Sequence, residues 1–227
     1  MENRRSSNYD ARPAETPVDT LVLHYTGMAN AEAALDRLCD EAAGVSAHYL
    51  IDEGGSVFSL VAEEFRAWHA GVAWWRGHSD INARSIGIEL VNPGHEFGLT
   101  PFPEPQVLAL INLACGILER HRVPSVNVVG HSDIAPRRKQ DPGELFDWPR
   151  LARAGIGLWP GHCVPQEMGQ GQALQLLAEI GYETTDLKKT IEAFQRRYRP
   201  RRINGIIDRE TAGMIASVLA ISLKYAI

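Results

Sequence analysis

The residues best suited to chemistry in this chain lie in one loop. Residues 130–143, G-H-S-D-I-A-P-R-R-K-Q-D-P-G, contain His131, Lys139 and Asp141. An imidazole and a carboxylate are common zinc ligands, and an ammonium beside them can stabilise developing negative charge. A catalytic zinc ion usually takes three protein ligands and leaves its fourth position for water. The loop therefore supplies two ligands, and a third ligand and a proton carrier must lie elsewhere.

Two apolar segments upstream end in candidates for these roles. His24 follows V-D-T-L-V-L, and Glu89 follows S-I-G-I. Both segments have the composition of β-strands, so each polar side chain would lie near the end of a strand and face a cleft. His24, His131 and Asp141 together match the ligand count of a catalytic zinc site.

Each candidate has a simpler explanation when it is taken alone. A single histidine at a strand end is more often structural than a metal ligand. Glu89 could occupy the polar side of an alternating strand, and Lys139 could belong to a solvated basic run with its arginine neighbours. The combination of all five residues in one chain favours a metal site.

The segments around these residues resemble a known family. In the same order as in that family, and within residues 20–145, the chain contains L-V-L-H-Y-T-G, V-S-A-H-Y-L-I-D-E-G-G, R-A-W-H-A-G, N-A-R-S-I-G-I-E-L-V-N and the loop motif. These are similar to motifs of the zinc-dependent N-acetylmuramoyl-L-alanine amidases, which are related to the peptidoglycan recognition proteins.

The resemblance implies specific roles. His24, His131 and Asp141 would bind zinc, Glu89 would transfer protons and Lys139 would stabilise negative charge. The implied reaction is hydrolysis of the amide bond between the lactyl group of N-acetylmuramic acid and the L-alanine of a stem peptide.

One departure indicates a branch of the family. The phage lysozyme-like branch has a catalytic tyrosine directly before the histidine of the second motif, whereas this chain has Ala47 before His48. Proton transfer would then depend on Glu89, as in the branch that includes the bacterial recycling amidases.

Aromatic residues follow the third motif and could contact a sugar. Trp68, Trp74 and Trp75 lie within eight positions of one another. An indole can face a cleft and stack on a sugar ring, or it can fill the core. We expect Trp68 in the core, and we expect His69, Trp74, Trp75 and Asn82 to contact substrate, with His69 alternatively supporting the site.

The other histidines give no metal-binding pattern. His48 lies in a segment that predicts a β-hairpin over residues 46–61, and we expect it to be structural. The remaining histidines lack partners at ligand spacing and are expected at the surface: His78, His95, His121 and His162.

Length and composition are those of a globular protein. The chain has 227 residues, 44% of them hydrophobic and 22% charged, with a formal net charge of −5. These values are ordinary for a globular protein, and no apolar stretch is long enough to span a membrane. We expect a muropeptide or peptidoglycan partner and neither a nucleic-acid nor a membrane partner; the sequence leaves the oligomeric state open.

Two further features favour the cytoplasm. The first seventeen residues are polar and lack the apolar segment of a secretory signal, which predicts a flexible lead-in or a surface loop. The three cysteines, Cys39, Cys115 and Cys163, are odd in number and far apart, as is typical of a reducing compartment. A cytoplasmic amidase would recycle anhydro-muropeptides, whereas a phage-type lysin would attack intact peptidoglycan.

The element pattern predicts an α/β fold with a mixed central sheet flanked by helices, followed by a small three-helix domain. Predicted strands cover 18–25, 85–92 and 125–131, and predicted helices cover 31–41 and 104–121. We predict a catalytic domain over 1–160 and a linker over 161–170, where Gly and Pro are frequent.

Residues 171–227 are predicted to form the three-helix domain. Their segment A-F-Q-R-R-Y-R-P-R-R-I-N-G-I-I-D-R-E-T resembles peptidoglycan-binding domains that follow amidases. Residues 181–227 contain nine basic and five acidic side chains. This basic surplus could attract anionic wall fragments, or it could consist of solvated helix faces.

A non-catalytic recognition module is the competing prediction for the whole chain. Peptidoglycan recognition proteins use a similar fold to bind muropeptides without cutting them, and such binders typically lose a zinc ligand. All three candidate ligands are present here beside Glu89 and Lys139, so hydrolysis is favoured.

Overall fold

The computed structural model describes residues 2–224 and has a mixed β-sheet at its centre. Its strands are β1 (Glu2–Asn3), β2 (Tyr9–Ala11), β3 (Thr20–Tyr25), β4 (Tyr49–Ile51), β5 (Val57–Ser59), β6 (Phe65–Ala67), β7 (Ser85–Leu90) and β8 (Val128–Gly130). Six of them form the sheet in the order β1-β5-β4-β7-β3-β8, and β2 pairs with β6 apart from it. Only β4 and β5 are antiparallel neighbours in the six-stranded sheet of the described region.

Helices cover both faces of this sheet. They are α1 (Ala31–Cys39), α2 (Ile81–Arg84), α3 (Gly94–Phe97), α4 (Glu104–His121), α5 (His131–Ile134), α6 (Trp148–Arg153), α7 (Gln170–Ile180), α8 (Leu187–Tyr198) and α9 (Arg209–Ser222). The predicted fold class, a mixed sheet flanked by helices with three helices at the C-terminal end, is confirmed. None of the helices within residues 2–224 has the length and apolarity needed to cross a lipid bilayer.

Alternation along the central strands separates two apolar layers. Leu21 and Leu23 of β3 face one side, where they join a cluster with Leu110 and Ile117 of α4. Val22 faces the other side and packs with the C-terminal helices, because successive strand side chains point to opposite faces. On that second side, α1 covers β4 and β5, and a cleft lies between α1 and the loop of residues 138–141.

The C-terminal helices share an apolar cluster with the sheet. Val22 and Val129 of the sheet belong to the same buried cluster as Leu177 of α7 and Phe194 of α8. The connector before α7, residues 154–169, contains no helix or strand. The division into a domain over 1–160 and a domain over 171–227 remains a prediction. Residue 1 of the first domain and residues 225–227 of the second lie outside the described residues.

Two predicted segments differ from the structure. The strand predicted over 125–131 is a short 3-10 turn followed by β8, and His131 is the first residue of α5 because the chain bends after Gly130. The N-terminal segment is not a loose lead-in: β1 pairs with β5, β2 pairs with β6, and Ser6 and Asn8 are buried between them.

Replacement of Leu177 by alanine tests the shared cluster. Leu177 is fully buried, so Leu177→Ala should lower the free energy of unfolding by about 2–5 kcal/mol through lost burial and a residual cavity. Urea denaturation followed by both tryptophan fluorescence and far-UV circular dichroism should give one common, lowered midpoint. The exposed Gln172→Ala on the same helix is the control, with a change within about 0.5 kcal/mol. Two separate transitions, of which only one shifts, would contradict a shared core.

Candidate metal centre

The carboxyl ends of three parallel strands bring the candidate residues together. In the pairing of β3 with β7, His24 lies opposite Glu89. Because the strands are parallel and in register, these side chains lie on the same face of the sheet. On the other side of β3, Leu23 lies opposite Gly130, the residue before His131. Ligands bind typically at this edge of parallel sheets, outside the carboxyl ends of the strands.

Three ligand atoms converge at this edge. Nδ1 of His24 lies 2.9 Å from Nδ1 of His131, and each lies 3.0 Å from Oδ2 of Asp141. The three residues are 1%, 3% and 6% exposed, respectively. The Ser132 backbone N–H donates to the Asp141 carbonyl at 2.8 Å, and this contact closes the loop that carries two of the ligands. Within residues 2–224 this is the one cluster of three such side chains able to hold a metal ion.

Hydrogen bonds fix the tautomer of His131. Its Nε2 lies 3.0 Å from the Ala70 carbonyl oxygen. A carbonyl can only accept, so Nε2–H donates, and a neutral imidazole then leaves a bare lone pair on Nδ1. That lone pair points at the other two ligand atoms.

A chain of hydrogen bonds fixes the tautomer of His24. The Ser85 hydroxyl donates to the Ile81 carbonyl at 2.6 Å and accepts from Nε2–H of His69 at 3.2 Å. Nδ1 of His69 is therefore an acceptor, and it receives Nε2–H of His24 at 3.0 Å. His24 is left with a bare lone pair on Nδ1, directed at His131 and Asp141.

Gly87 makes room for this chain. A Cβ atom at Gly87 would lie 2.5 Å from the His69 ring, closer than side chains approach each other. A residue with a side chain in the middle of β7 would therefore displace His69 and break its contact with His24.

Burial sets the ionisation states of these groups. Desolvation by burial lowers the pKa of His24 to about 4 and likewise lowers the pKa of His69. Burial opposes ionisation of Asp141, but its contacts with the two imidazoles outweigh burial and hold the Asp141 pKa below its ordinary value. At neutral pH the cluster therefore presents a neutral His24 and a carboxylate, the forms that ligate metals.

The donor set fits a zinc ion. Two imidazole lone pairs and a carboxylate oxygen face each other at about 3 Å, an arrangement that is repulsive unless a cation lies between them. Two nitrogen ligands and one oxygen ligand with a cleft on the remaining side match a catalytic zinc site, which keeps one position open.

A cavity of about 450 Å³ opens beside the three ligand atoms. Glu89 and Lys139 both line it and are both half-buried. Burial raises the pKa of Glu89 well above its ordinary value; the Asp141 charge adds to this and Lys139 opposes it. Oε2 of Glu89 is buried without a hydrogen-bond partner, and the Lys139 ammonium forms no ion pair within the described region. Both groups are therefore available to a substrate.

The residues expected to contact substrate lie in different places. His69 lines the cavity but uses both ring nitrogens in the hydrogen bonds to His24 and Ser85. The Asn82 side-chain oxygen accepts the backbone N–H groups of His69 and Ala70, at 3.1 and 2.8 Å, so it holds the His69 segment rather than facing the cavity.

The three tryptophans lie in different surroundings from those that the sequence predicted. Trp75 is only 4% exposed and packs edge-on against Tyr182, because the C-terminal helices cover it. Trp74 is 38% exposed but lines a second cavity, with Arg137, Arg138 and Glu183. Trp68, expected in the core, instead lines the cavity beside the ligand atoms.

His95, expected at the surface, is half-buried and lines the same cavity. Its Nδ1 lies 2.8 Å from the Tyr25 hydroxyl, and its Nε2 lies 2.9 Å from Oε2 of Glu144. No local pattern in the sequence indicates this position for His95, because its partner Tyr25 lies seventy residues away along the chain.

The other histidines lie away from the ligand atoms. His48 is buried and accepts the Gly87 backbone N–H on Nδ1, as a structural residue would. His121 pairs with Glu63, and His78 and His162 are exposed.

Comparison with known proteins identifies the family. Residues 14–144 match the family model described as N-acetylmuramoyl-L-alanine amidase. The chain is 37% identical to the N-acetylmuramoyl-L-alanine amidase AmiD of Escherichia coli (strain K12), over 92% of this chain and 85% of AmiD. The chain therefore belongs to the N-acetylmuramoyl-L-alanine amidase family, and the resemblance noted in its motifs is confirmed.

Solved structures agree over almost the whole chain. AmiD from E. coli, in complex with the substrate anhydro-N-acetylmuramic acid-L-Ala-D-gamma-Glu-L-Lys, superposes with a TM-score of 0.82 at 36% identity and covers 93% of both chains. AMPDH3 from Pseudomonas aeruginosa also gives 0.82, at 32% identity and 96% coverage of both chains. The 1,6-anhydro-N-acetylmuramyl-L-alanine amidase AmpD of Haemophilus influenzae is 32% identical over 64% of this chain and 87% of AmpD.

Replacement of His69 tests the hydrogen-bond chain. His69→Phe keeps an aromatic ring but removes the acceptor for Nε2–H of His24, so the His24 tautomer is no longer fixed. We expect the dissociation constant for Zn2+ to rise by about 10–100-fold, as measured by competition with a chromophoric chelator. His121→Phe, which removes a histidine away from the cluster, should bind zinc like the unaltered chain. Equal zinc affinity of both variants would disprove the role of His69.

Proposed function

We propose that this protein is a zinc-dependent amidase that hydrolyses the bond between the lactyl group of N-acetylmuramic acid and L-alanine. The supporting observation is the convergence of His24, His131 and Asp141 beside Glu89 and Lys139 in one cavity. A non-catalytic recognition module would need neither Glu89 nor Lys139 beside three intact candidate metal ligands.

Zinc would be held by His24, His131 and Asp141. Two neutral imidazoles and one carboxylate leave the site with a formal charge near +1. When bound, zinc supplies Lewis acidity toward a water molecule and toward the carbonyl of the scissile amide. The protein residues then have to move protons and stabilise charge.

Glu89 is the proposed proton carrier. Its Oε2 has no hydrogen-bond partner, and burial raises its pKa above the ordinary value, which favours a carboxyl group that both accepts and donates a proton during the reaction. Glu89 accepts a proton as water attacks the carbonyl carbon. It then delivers that proton to the alanine nitrogen as the C–N bond breaks, so the products are a carboxylic acid and an amine.

Lys139 is the proposed stabiliser of the oxyanion. Negative charge develops on the former carbonyl oxygen when water adds, and the ammonium lines the cavity without another ion-pair partner in the described region. A cation already in position favours this state over the neutral amide and requires little reorganisation during the reaction.

Anhydro-muropeptides are the proposed substrates. The AmiD complex contains such a fragment, and the AmpD relatives are named as 1,6-anhydro-N-acetylmuramyl-L-alanine amidases. We propose that the protein recycles these fragments in the cytoplasm, and the three free cysteines support a reducing compartment. The alternative is a lytic amidase of intact peptidoglycan, which the resemblance of the C-terminal helices to peptidoglycan-binding domains favours.

Replacement of Glu89 separates metal binding from proton transfer. Glu89→Gln keeps the shape of the side chain but cannot accept a proton, so turnover of anhydro-muropeptide should fall by about 10²–10⁴-fold while zinc content stays at one per chain. Product release would be followed by liquid chromatography and zinc by elemental analysis. Normal turnover in this variant would remove Glu89 from the mechanism.

The matched control is Glu96→Gln. Glu96 is an exposed carboxylate that lines the same cavity, and its replacement should leave turnover within about twofold of the unaltered chain. The unaltered chain treated with EDTA should lose both zinc and turnover, and added zinc should restore both. Full activity after exhaustive chelation would contradict the metal assignment.

A competition experiment decides between the two substrates. Purified 1,6-anhydro-muropeptide and intact sacculi are offered together at equal concentrations of amide bond. A recycling enzyme should hydrolyse the soluble fragment about 10-fold faster than the sacculi, because a cavity of about 450 Å³ admits a small fragment more readily than a cross-linked polymer. Faster release of peptides from sacculi would support the lytic alternative.

A further inference from the structure

Asp133 is a fully buried carboxylate two residues after His131. Its Oδ2 accepts the Gly130 backbone N–H at 2.8 Å and so caps α5, the four-residue helix that begins at His131. A helix this short is not stable by itself, so its conformation depends on the cap and on tertiary contacts. The position of His131 therefore depends on what holds Asp133.

The C-terminal helices supply the partners of Asp133. Arg197 of α8 donates to Oδ2 at 2.7 Å, and the Tyr182 hydroxyl, between α7 and α8, donates to Oδ1 at 2.7 Å. Arg197 is buried as well, and its guanidinium stacks on the Trp148 ring at 3.9 Å. Both donors lie beyond residues 14–144, the part of the chain that matches the family model.

The preceding residue of α8 reaches the other end of the same loop. Arg196 lies 3.7 Å from Oε2 of Glu144. Glu144 also contacts His95, which contacts the Tyr25 hydroxyl, and Tyr25 directly follows His24. Two adjacent arginines of α8 thus contact both ends of the segment that contains His131, Lys139 and Asp141.

We propose that Arg197 and Tyr182 are positioning residues for the metal centre. By holding Asp133, they fix the cap of α5 and thereby keep Nδ1 of His131 directed at the other two ligand atoms. This inference rests on the proposed function in one respect, that His131 binds zinc. It assigns the C-terminal helices a part in forming the catalytic centre, in addition to any contact with glycan.

The physical reason is the cost of an unpaired buried carboxylate. Without the Arg197 cation, the buried Asp133 side chain would lack its ion-pair partner, and a turn of this side chain toward water would leave the Gly130 N–H without an acceptor. Loss of the cap would release the first turn of α5. Ligand atoms need positions accurate to about 0.5 Å, so metal affinity should respond to this change.

A purely structural role for the ion pair is the competing explanation. In that case Arg197 would join the C-terminal helices to the sheet and affect stability alone. Zinc affinity and ligand geometry, measured on folded protein, separate the two explanations because neither depends on turnover.

The experiment compares four variants of the full chain. Arg197→Met removes the cation, Arg197→Lys retains it, and Tyr182→Phe removes only a hydroxyl. Ile191→Ala is the matched control, because Ile191 is a buried residue near the start of α8 that lines a separate cavity with Leu187 and makes no polar contact with Asp133. Zinc dissociation constants are measured at a temperature at which circular dichroism shows that every variant is folded. The visible absorption of the Co2+-substituted chain reports ligand geometry.

We expect Arg197→Met to raise the zinc dissociation constant by about 10-fold or more and to alter the cobalt spectrum. Arg197→Lys should recover part of the affinity, and Tyr182→Phe should weaken binding by roughly threefold, because one hydrogen bond to a charged group is lost. Ile191→Ala should lower the melting temperature and leave both zinc affinity and the cobalt spectrum unchanged.

Other outcomes would overturn the inference. If the zinc affinities and cobalt spectra of Arg197→Met and Tyr182→Phe equal those of Ile191→Ala, then α8 contributes to stability alone. If Arg197→Met fails to fold, Tyr182→Phe decides, since its ring keeps the packing on Trp75 and Phe194. Failure of the unaltered chain to bind zinc would overturn the proposed function as well, whereas equal affinities of all variants overturn only the positioning role.

Discussion

The meeting of three electron-rich atoms in a nearly dry region is the constraint on which the rest of the site depends. Nδ1 of His24, Nδ1 of His131 and Oδ2 of Asp141 lie about 3 Å apart, and each would repel the others without a cation between them. The protein must therefore hold each atom in place through contacts on its far side. The Ala70 carbonyl and the His69 ring do this for the two imidazoles.

The sheet and helices supply these contacts in layers. In-register pairing of β3 with β7 places His24 beside Glu89, and Gly87 of the same strand leaves space for the His69 ring. Behind the sheet, α4 provides an apolar layer that fixes the strands. On the cleft side, the C-terminal helices share a core with the sheet and contact Asp133, in the loop of residues 130–143, through Arg197. The helices that resemble a separate binding domain thus contact the loop that contains two of the candidate ligands.

Much of this arrangement could be predicted from local patterns. Apolar composition and periodicity predicted β3, β7 and α4 to within a few residues, because local propensity and burial agree there. The prediction was wrong where tertiary contacts decide, as for His131, which begins a helical turn instead of ending a strand. Trp75 was expected to contact substrate. The sequence does not distinguish an exposed tryptophan from a buried one, and only the tertiary structure shows that Trp75 is buried against Tyr182.

The sequence by itself determined the family and the set of candidate ligands, because five ordered motifs carry residue types that chemistry restricts closely. It could not determine which nitrogen of each histidine faces the other candidate ligands, or that Asp133 pairs with a cation sixty-four residues away in α8. Those properties depend on hydrogen bonds and ion pairs between distant segments. Such contacts form only after burial removes water as the competing partner, and therefore only the tertiary structure decided them.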